Sequence, residues 1–195
     1  YRRALVAACR RAYPAIYNEV WNESRVSGNW LTRASFEEWT SSTVPVGWTV
    51  TTLTATQTTT SPYYRHGATS AKLDTLAGTI SQAITNFDDL KFLTGQTVQF
   101  TIQAWCNTAS ALRISINDGI TQTYSGYHPG GSAWTEDEPQ NDGMYVSQYI
   151  NPNASQVTFT IHFESATATA YVDDARVIGP RVPRIYIGDL SLEKN

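Results

Sequence analysis

The sequence predicts an all-β fold of antiparallel strands, and three observations carry that reading. From Asn29 onward threonine becomes frequent, and β-branched or aromatic residues alternate with polar ones. Turn signals recur at near-regular intervals, at Pro45-Val46-Gly47, Asp118-Gly119, Pro129-Gly130-Gly131 and Asn151-Pro152-Asn153. No long helical period lies between them. Many short strands separated in this way argue for a sandwich or a barrel, and periodicity alone goes no further.

The elements follow in chain order. Tyr1 to about Trp21 reads as a helix, because Leu5, Ala8, Cys9, Ala12, Ile16 and Val20 fall at three- and four-residue spacing. Pro14 removes a backbone donor and predicts a break near Tyr13. Polar Asn22 to Gly28 suits a linker. Strands are then expected over Thr49–Gln57, Ser70–Leu73, Gly78–Ile84, Thr97–Asn107, Ala111–Asn117, Thr121–Tyr127, Met144–Ile150, Gln156–Glu164 and Thr169–Ile178. Val98, Phe100, Ile102 and Ala104 alternate with Gln99, Thr101 and Gln103, as a half-buried strand requires. The tail from Gly179 to Asn195 holds Pro180, Pro183 and then Ile185-Tyr186-Ile187, which suits an edge strand or an arm. The chain thus divides into 1–28, 29–178 and 179–195.

Bulk properties narrow the function classes. The chain has 195 residues, 41% hydrophobic and 16% charged. So low a charged share argues against a disordered chain. Six Trp and eleven Tyr supply a core and leave rings over for a surface. A net charge of −3 gives no general footprint for nucleic acid, although Arg2, Arg3, Arg10 and Arg11 crowd the start. Cys9 and Cys106 lie in different elements and read as free thiols rather than a disulfide or metal framework. No apolar run approaches membrane-spanning length.

Five local patterns then stand in a telling order. They are Ala34-Ser35-Phe36-Glu37 with Trp39 close behind, Pro45-Val46-Gly47-Trp48, His66-Gly67-Ala68-Thr69-Ser70-Ala71-Lys72-Leu73, Leu93-Thr94-Gly95-Gln96-Thr97-Val98, and Tyr171-Val172-Asp173-Asp174-Ala175-Arg176-Val177. Together they resemble the jelly-roll carbohydrate-binding modules appended to xylanases and laminarinases. Similar domains occur in bacteriophage tail and other virion proteins. The resemblance spans Asn29 to Ile178. It implies an antiparallel two-sheet jelly-roll β-sandwich, here with a short N-terminal α-helical extension. It implies little about the ligand, because one fold hosts many functions. It covers neither the arginine-bearing helix nor the tail. That departure points to a subunit docked in a larger assembly, a virion first, with an extracellular enzyme as the alternative.

The resemblance also implies a structural calcium. An early Phe-Glu and a late Asp-Asp meet in those modules, because the first and last strands are neighbours. Carried over, the ligands are Glu37 and Asp173, with Asp174 as a third, and backbone carbonyls complete the six to eight oxygens calcium takes. The bland alternative is a set of solvated charges at strand ends.

For a glycan, the residues themselves point to Tyr124, Tyr127, His128 and Trp134. Sugars present apolar C–H faces ringed by hydroxyls, so their sites pair flat aromatics with hydrogen-bonding groups. The same run equally suits rings that cap the sandwich end, and both readings stay open. Trp48 and Trp105 read as packing, and His162, inside a strand, as a structural histidine. Glu136-Asp137-Glu138 resembles a glycosidase pair in composition only. Such chemistry needs two carboxyls facing across about 5–10 Å, which adjacent acids in a loop do not provide. No nucleophile elbow, zinc spacing or phosphate loop occurs. The expectation is a non-catalytic subunit. It would contact other subunits through its helix and arm, with a cell-surface glycan and a homo-oligomer as further partners. A purely structural virion subunit is the alternative.

Overall fold

The computed structural model describes residues 29–135, 137–138 and 141–179. The expected helix over Tyr1–Trp21, the linker and the arm beyond Gly179 lie outside the described residues, as does Glu136.

The strands in chain order are β1 (Trp39–Ser41), β2 (Val44–Pro45), β3 (Thr49–Thr51), β4 (Thr54–Thr58), β5 (Ser70–Asp74) and β6 (Gly78–Ile84). Helix α1 (Phe87–Leu93) follows. Then come β7 (Thr97–Cys106), β8 (Leu112–Asn117), β9 (Gln122–Tyr124), β10 (Ala133–Trp134), β11 (Asp137–Glu138), β12 (Asn141–Asp142), β13 (Met144–Tyr149), β14 (Val157–Phe163) and β15 (Ala170–Ile178). Two antiparallel sheets result. Sheet I runs β10-β7-β15-β5-β4, with β13 also on β7, and sheet II runs β3-β6-β14-β8-β9. The expected two-sheet jelly-roll sandwich is therefore what the chain forms.

The alternation read from the sequence is what fills the space between the sheets. Val98, Phe100, Ile102 and Ala104 of β7 are fully buried, as are Phe159, Ile161 and Phe163 of β14 and Leu112, Ile114 and Ile116 of β8. Phe100 meets Phe159 edge to face at 5.5 Å. Each such side chain contributes roughly 1.5–3 kcal/mol on burial. Phe36 and Trp48 stack at 5.0 Å and close one edge of this core. Cys106 is a buried free thiol.

Two expectations are corrected. Thr49–Gln57 is not one strand, because Thr52 turns with φ +69 and sends β3 to sheet II and β4 to sheet I. A single alternating run of threonines carries no mark of that switch. The sequence reading places no element between Ile84 and Thr97, where helix α1 forms. Asn86 caps it by accepting from the Asp88 N–H at 3.0 Å, and Leu90 and Leu93 anchor it in the core. Seven residues are too few to display a helical period.

The chain enters and leaves the sandwich at one place. Asn29 donates to the Ala175 carbonyl at 2.6 Å and accepts from the Val177 N–H at 2.9 Å. Asn29 and Val177 therefore lie side by side, at the end of β7 near Gln99, which pairs with Ile178.

Candidate functional site

Sheet I presents its outer face in two halves. Register fixes which residues point there: Trp105, Gln103, Thr101 and Thr97 of β7, Tyr171 and Asp173 of β15, and Trp134, Tyr145 and Tyr149 on the far flank of β7. The loop 59–69 lies across the half formed by β15 and the end of β7. Tyr63 of that loop stacks on Tyr171 at 4.3 Å and meets Trp105 edge-on at 5.5 Å. Trp134 donates its indole N–H to the Pro62 carbonyl at 2.9 Å.

The loop is pinned from below by carboxylates. Asp173, fully buried, accepts from the Arg65 and His66 N–H groups at 2.7 and 2.8 Å and from the Asp174 N–H at 2.7 Å. Burial pushes its carboxyl above the usual range, and those N–H groups pull against the rise. Glu37 accepts from the Ala68 and Thr69 N–H groups at 3.0 and 3.1 Å. The expected meeting of the early Glu and the late Asp at one loop is therefore present.

Backbone N–H donors, rather than carbonyls, are aimed at both carboxylates. Asp174 sits at a bulge with φ +45, pairs with Arg176 and lies 3.3 Å from His66. Among the described residues, no three His, Cys, Asp or Glu side chains converge to hold a metal. Asp173 and the Oε1 atom of Glu37 are thus engaged by backbone N–H groups of the loop.

The other half of the face is open. A cleft of about 470 Å³ lies where β10 and β13 meet the 125–130 loop. Tyr127, Trp134 and Tyr145 are its aromatic walls, and Ser125, Gly126, Gly130 and Thr135 add hydroxyl and backbone groups. Two glycines let the backbone pack closely enough to shape it. A Cβ at Gly130, φ +80, would overlap the Ala109 backbone, and one at Gly143, φ +92, would overlap the Ile102 carbonyl.

Tyr127 is held rather than loose. Its hydroxyl donates to Glu164 at 2.7 Å, and the Arg113 guanidinium lies 4.9 Å from its ring centre. Arg113 also bonds Glu164 at 2.7–2.8 Å and lies 4.1 Å from the Tyr124 ring. The Glu164 hydrogen bond raises the Tyr127 phenol above its ordinary value. Burial would raise Glu164 too, but the Tyr127 and Arg113 bonds outweigh it and leave the carboxyl low.

Of the residues singled out by sequence, Tyr127 and Trp134 line the cleft together. His128 borders it but is 1% exposed, and its ring is committed to structure. Its Nδ1 accepts from the Gly130 N–H at 2.9 Å, so Nε2 carries the proton and donates to the Ala104 carbonyl at 3.2 Å. Burial holds it below the ordinary histidine value. Tyr124 lies across Arg113, on sheet II, and does not line the cleft. Tyr145 does, and sequence reasoning missed it. The signal was available, since Tyr145, Ser147 and Tyr149 occupy the outward positions of an alternating strand. His162 binds Ser115 at 2.8 Å, but that serine is fully buried and no substrate reaches it.

No protein-family model matches the sequence, and no curated protein does. Solved structures do. A family 61 carbohydrate-binding module in complex with β-1,4-galactotriose aligns with TM-score 0.55 at 14% identity, over 77% of this chain and 98% of that one. The CBM22-1 xylan-binding domain of Paenibacillus barcinonensis Xyn10C gives 0.55 at 17%, over 78% and 96%. The enzymatically active domain of tailspike protein 4 from bacteriophage CBA120 gives 0.56 at 16%, over 77% of this chain and 21% of that one. At such identities the likeness establishes the fold.

Proposed function

We propose that this chain is a non-catalytic carbohydrate-binding domain whose sugar lies in the cleft between Tyr127, Trp134 and Tyr145. The observation that carries the reading is an open cleft walled by aromatic rings that are already fixed. Trp134 is held by the Pro62 carbonyl and Tyr127 by Glu164 and Arg113. Rigid rings lose little freedom on binding, so stacking against sugar C–H faces is retained as affinity. The Thr135 hydroxyl beside them accepts from the Ala104 N–H at 3.3 Å and can donate to a sugar hydroxyl. The fold likeness to a galactotriose complex and a xylan-binding domain supports the same class of ligand.

Chemistry on the sugar is not part of the proposal. No carboxylate is among the described residues that line the cleft, whereas glycosidases need two. Glu164, close by, is occupied by Arg113 and Tyr127.

A place on a larger assembly, a virion component first and an enzyme-appended extracellular module second, is supported by the position of the chain ends. Residues 29 and 179 sit at the Gln99 end of β7, and the cleft lies beside Trp105. Six residues of strand put the two about 20 Å apart. Light scattering separates the two settings, with a symmetric oligomer expected of a virion subunit and a monomer of an appended module.

The test of binding is a glycan-array and bacterial-surface screen of the full chain. A hit is expected, weakened at least about tenfold by Tyr145→Ala or Trp134→Ala with the melting curve preserved. Folded protein that binds nothing overturns the reading.

A further inference from the structure

The cleft ends at Tyr145, but the outward aromatic positions of the strand continue past it. Trp134 pairs with Trp105, Tyr145 with Thr101 and Tyr149 with Thr97. These β7 partners are four residues apart, so the three rings share one face and follow each other at steps of about 13 Å along the sheet edge. Tyr145 and Tyr149 are 48% and 57% exposed, high for aromatic side chains in a sheet. Ser147 stands between them on the outward face, and Thr97, Gln99 and Ile178 flank it from β7 and β15. The central rings of the same face are covered by Tyr63, so the open aromatic surface runs along the edge and not across the sheet.

We infer that the ligand is a linear polysaccharide, and that it lies parallel to β13 with successive sugars passing from Trp134 over Tyr145 to Tyr149. This rests on the carbohydrate reading of the cleft and adds the shape of the ligand. A step of about 13 Å exceeds one sugar ring, so a monosaccharide or disaccharide touches one aromatic and a longer chain touches all of them. Separate weak contacts on one chain then add, and affinity rises with length. Hydroxyls along the chain meet Ser147, Gln99 and Thr97. Arg176 pairs with Thr101 on the same outward face, and its guanidinium is bonded to Asp174, so this flank of the track is charge-balanced and suits an uncharged polymer.

The experiment is calorimetric titration of the full chain with xylo- and β-1,4-galacto-oligosaccharides from monomer to octamer. Tyr149→Ala and Tyr145→Ala are run beside it, each first checked for an unchanged melting curve. The expected result is affinity that climbs with length until the chain spans Tyr149. Tyr149→Ala should then cost about five- to tenfold for the longest chains and nothing for the shortest, the size of one lost ring contact. If short oligomers bind as tightly as long ones, and only Tyr145→Ala matters, the cleft stands and the track is overturned. If no oligomer of either series binds, the track and its uncharged polymer are overturned, and the array screen decides the cleft separately.

Discussion

The two halves of the outer face of sheet I carry the same kinds of side chain and use them oppositely. Near β15, Tyr171 is 8% exposed beneath Tyr63, and Asp173 is fully buried beneath loop 59–69. Near β13, Tyr145 and Tyr149 stand about half exposed. One half of the face has become a small second core, and the other is left as surface. The difference is not in the strands, which alternate alike, but in where one loop lands and what holds it there.

The largest effect should come from cutting the anchor. Asp173→Ala removes the fully buried carboxylate that the Arg65 and His66 N–H groups share as acceptor, at a cost of about 3 kcal/mol. Chemical denaturation should show the loss. A variant as stable as the parent would mean that the loop is held from above and not by the carboxylate. Next, Tyr63→Ala should cost about 2 kcal/mol by removing the stacked ring. It should also expose Trp105 to an iodide quencher, which turns the covered half into an open one. If quenching is unchanged, Tyr63 is no lid.

A smaller effect is pH dependence. Burial holds both His128 and His162 below the ordinary value of 6.5. The folded state therefore binds fewer protons than the unfolded chain, and stability is complete above about pH 6.5 and declines as pH falls beneath it. Asp118 works lower. Burial would raise it, but the N–H bonds from Asn151, Thr121 and Ile120 outweigh that and depress it. Its stabilisation is present above about pH 4 and is lost as pH falls through the folded value. Melting scans of His128→Gln with His162→Gln should flatten the upper limb and spare the lower. An upper limb that persists would assign it elsewhere.

The smallest expected effect is that of a chelator, which should leave the melting temperature where it was. Asp173 and one oxygen of Glu37 already accept backbone N–H groups that hold the loop. A drop on chelation, restored by calcium and absent in Glu37→Gln, would return the cation to this place.

Alternation, turn residues and the order of motifs were enough to determine the jelly-roll sandwich, most strand positions and the inward residues of β7, β8 and β14. Side-chain direction in a strand has a period of two, and that is a local property the sequence states directly. The same rule points Tyr145 and Tyr149 outward, although the sequence reading did not single them out, and it put Tyr127 and Trp134 in one loop-rich segment. It could not say which outward rings stay open. Trp105 and Tyr145 are both outward aromatics in alternating strands, yet loop 59–69 covers one and misses the other. Nor could it tell His128 as a ligand from His128 as a buried post, or place Tyr124 on the opposite sheet. Those outcomes depend on contacts between residues far apart in the chain, such as Pro62 with Trp134 and Arg65 with Asp173. Local pattern fixes the strands, and only the folded packing of loops onto them decides which faces remain to bind.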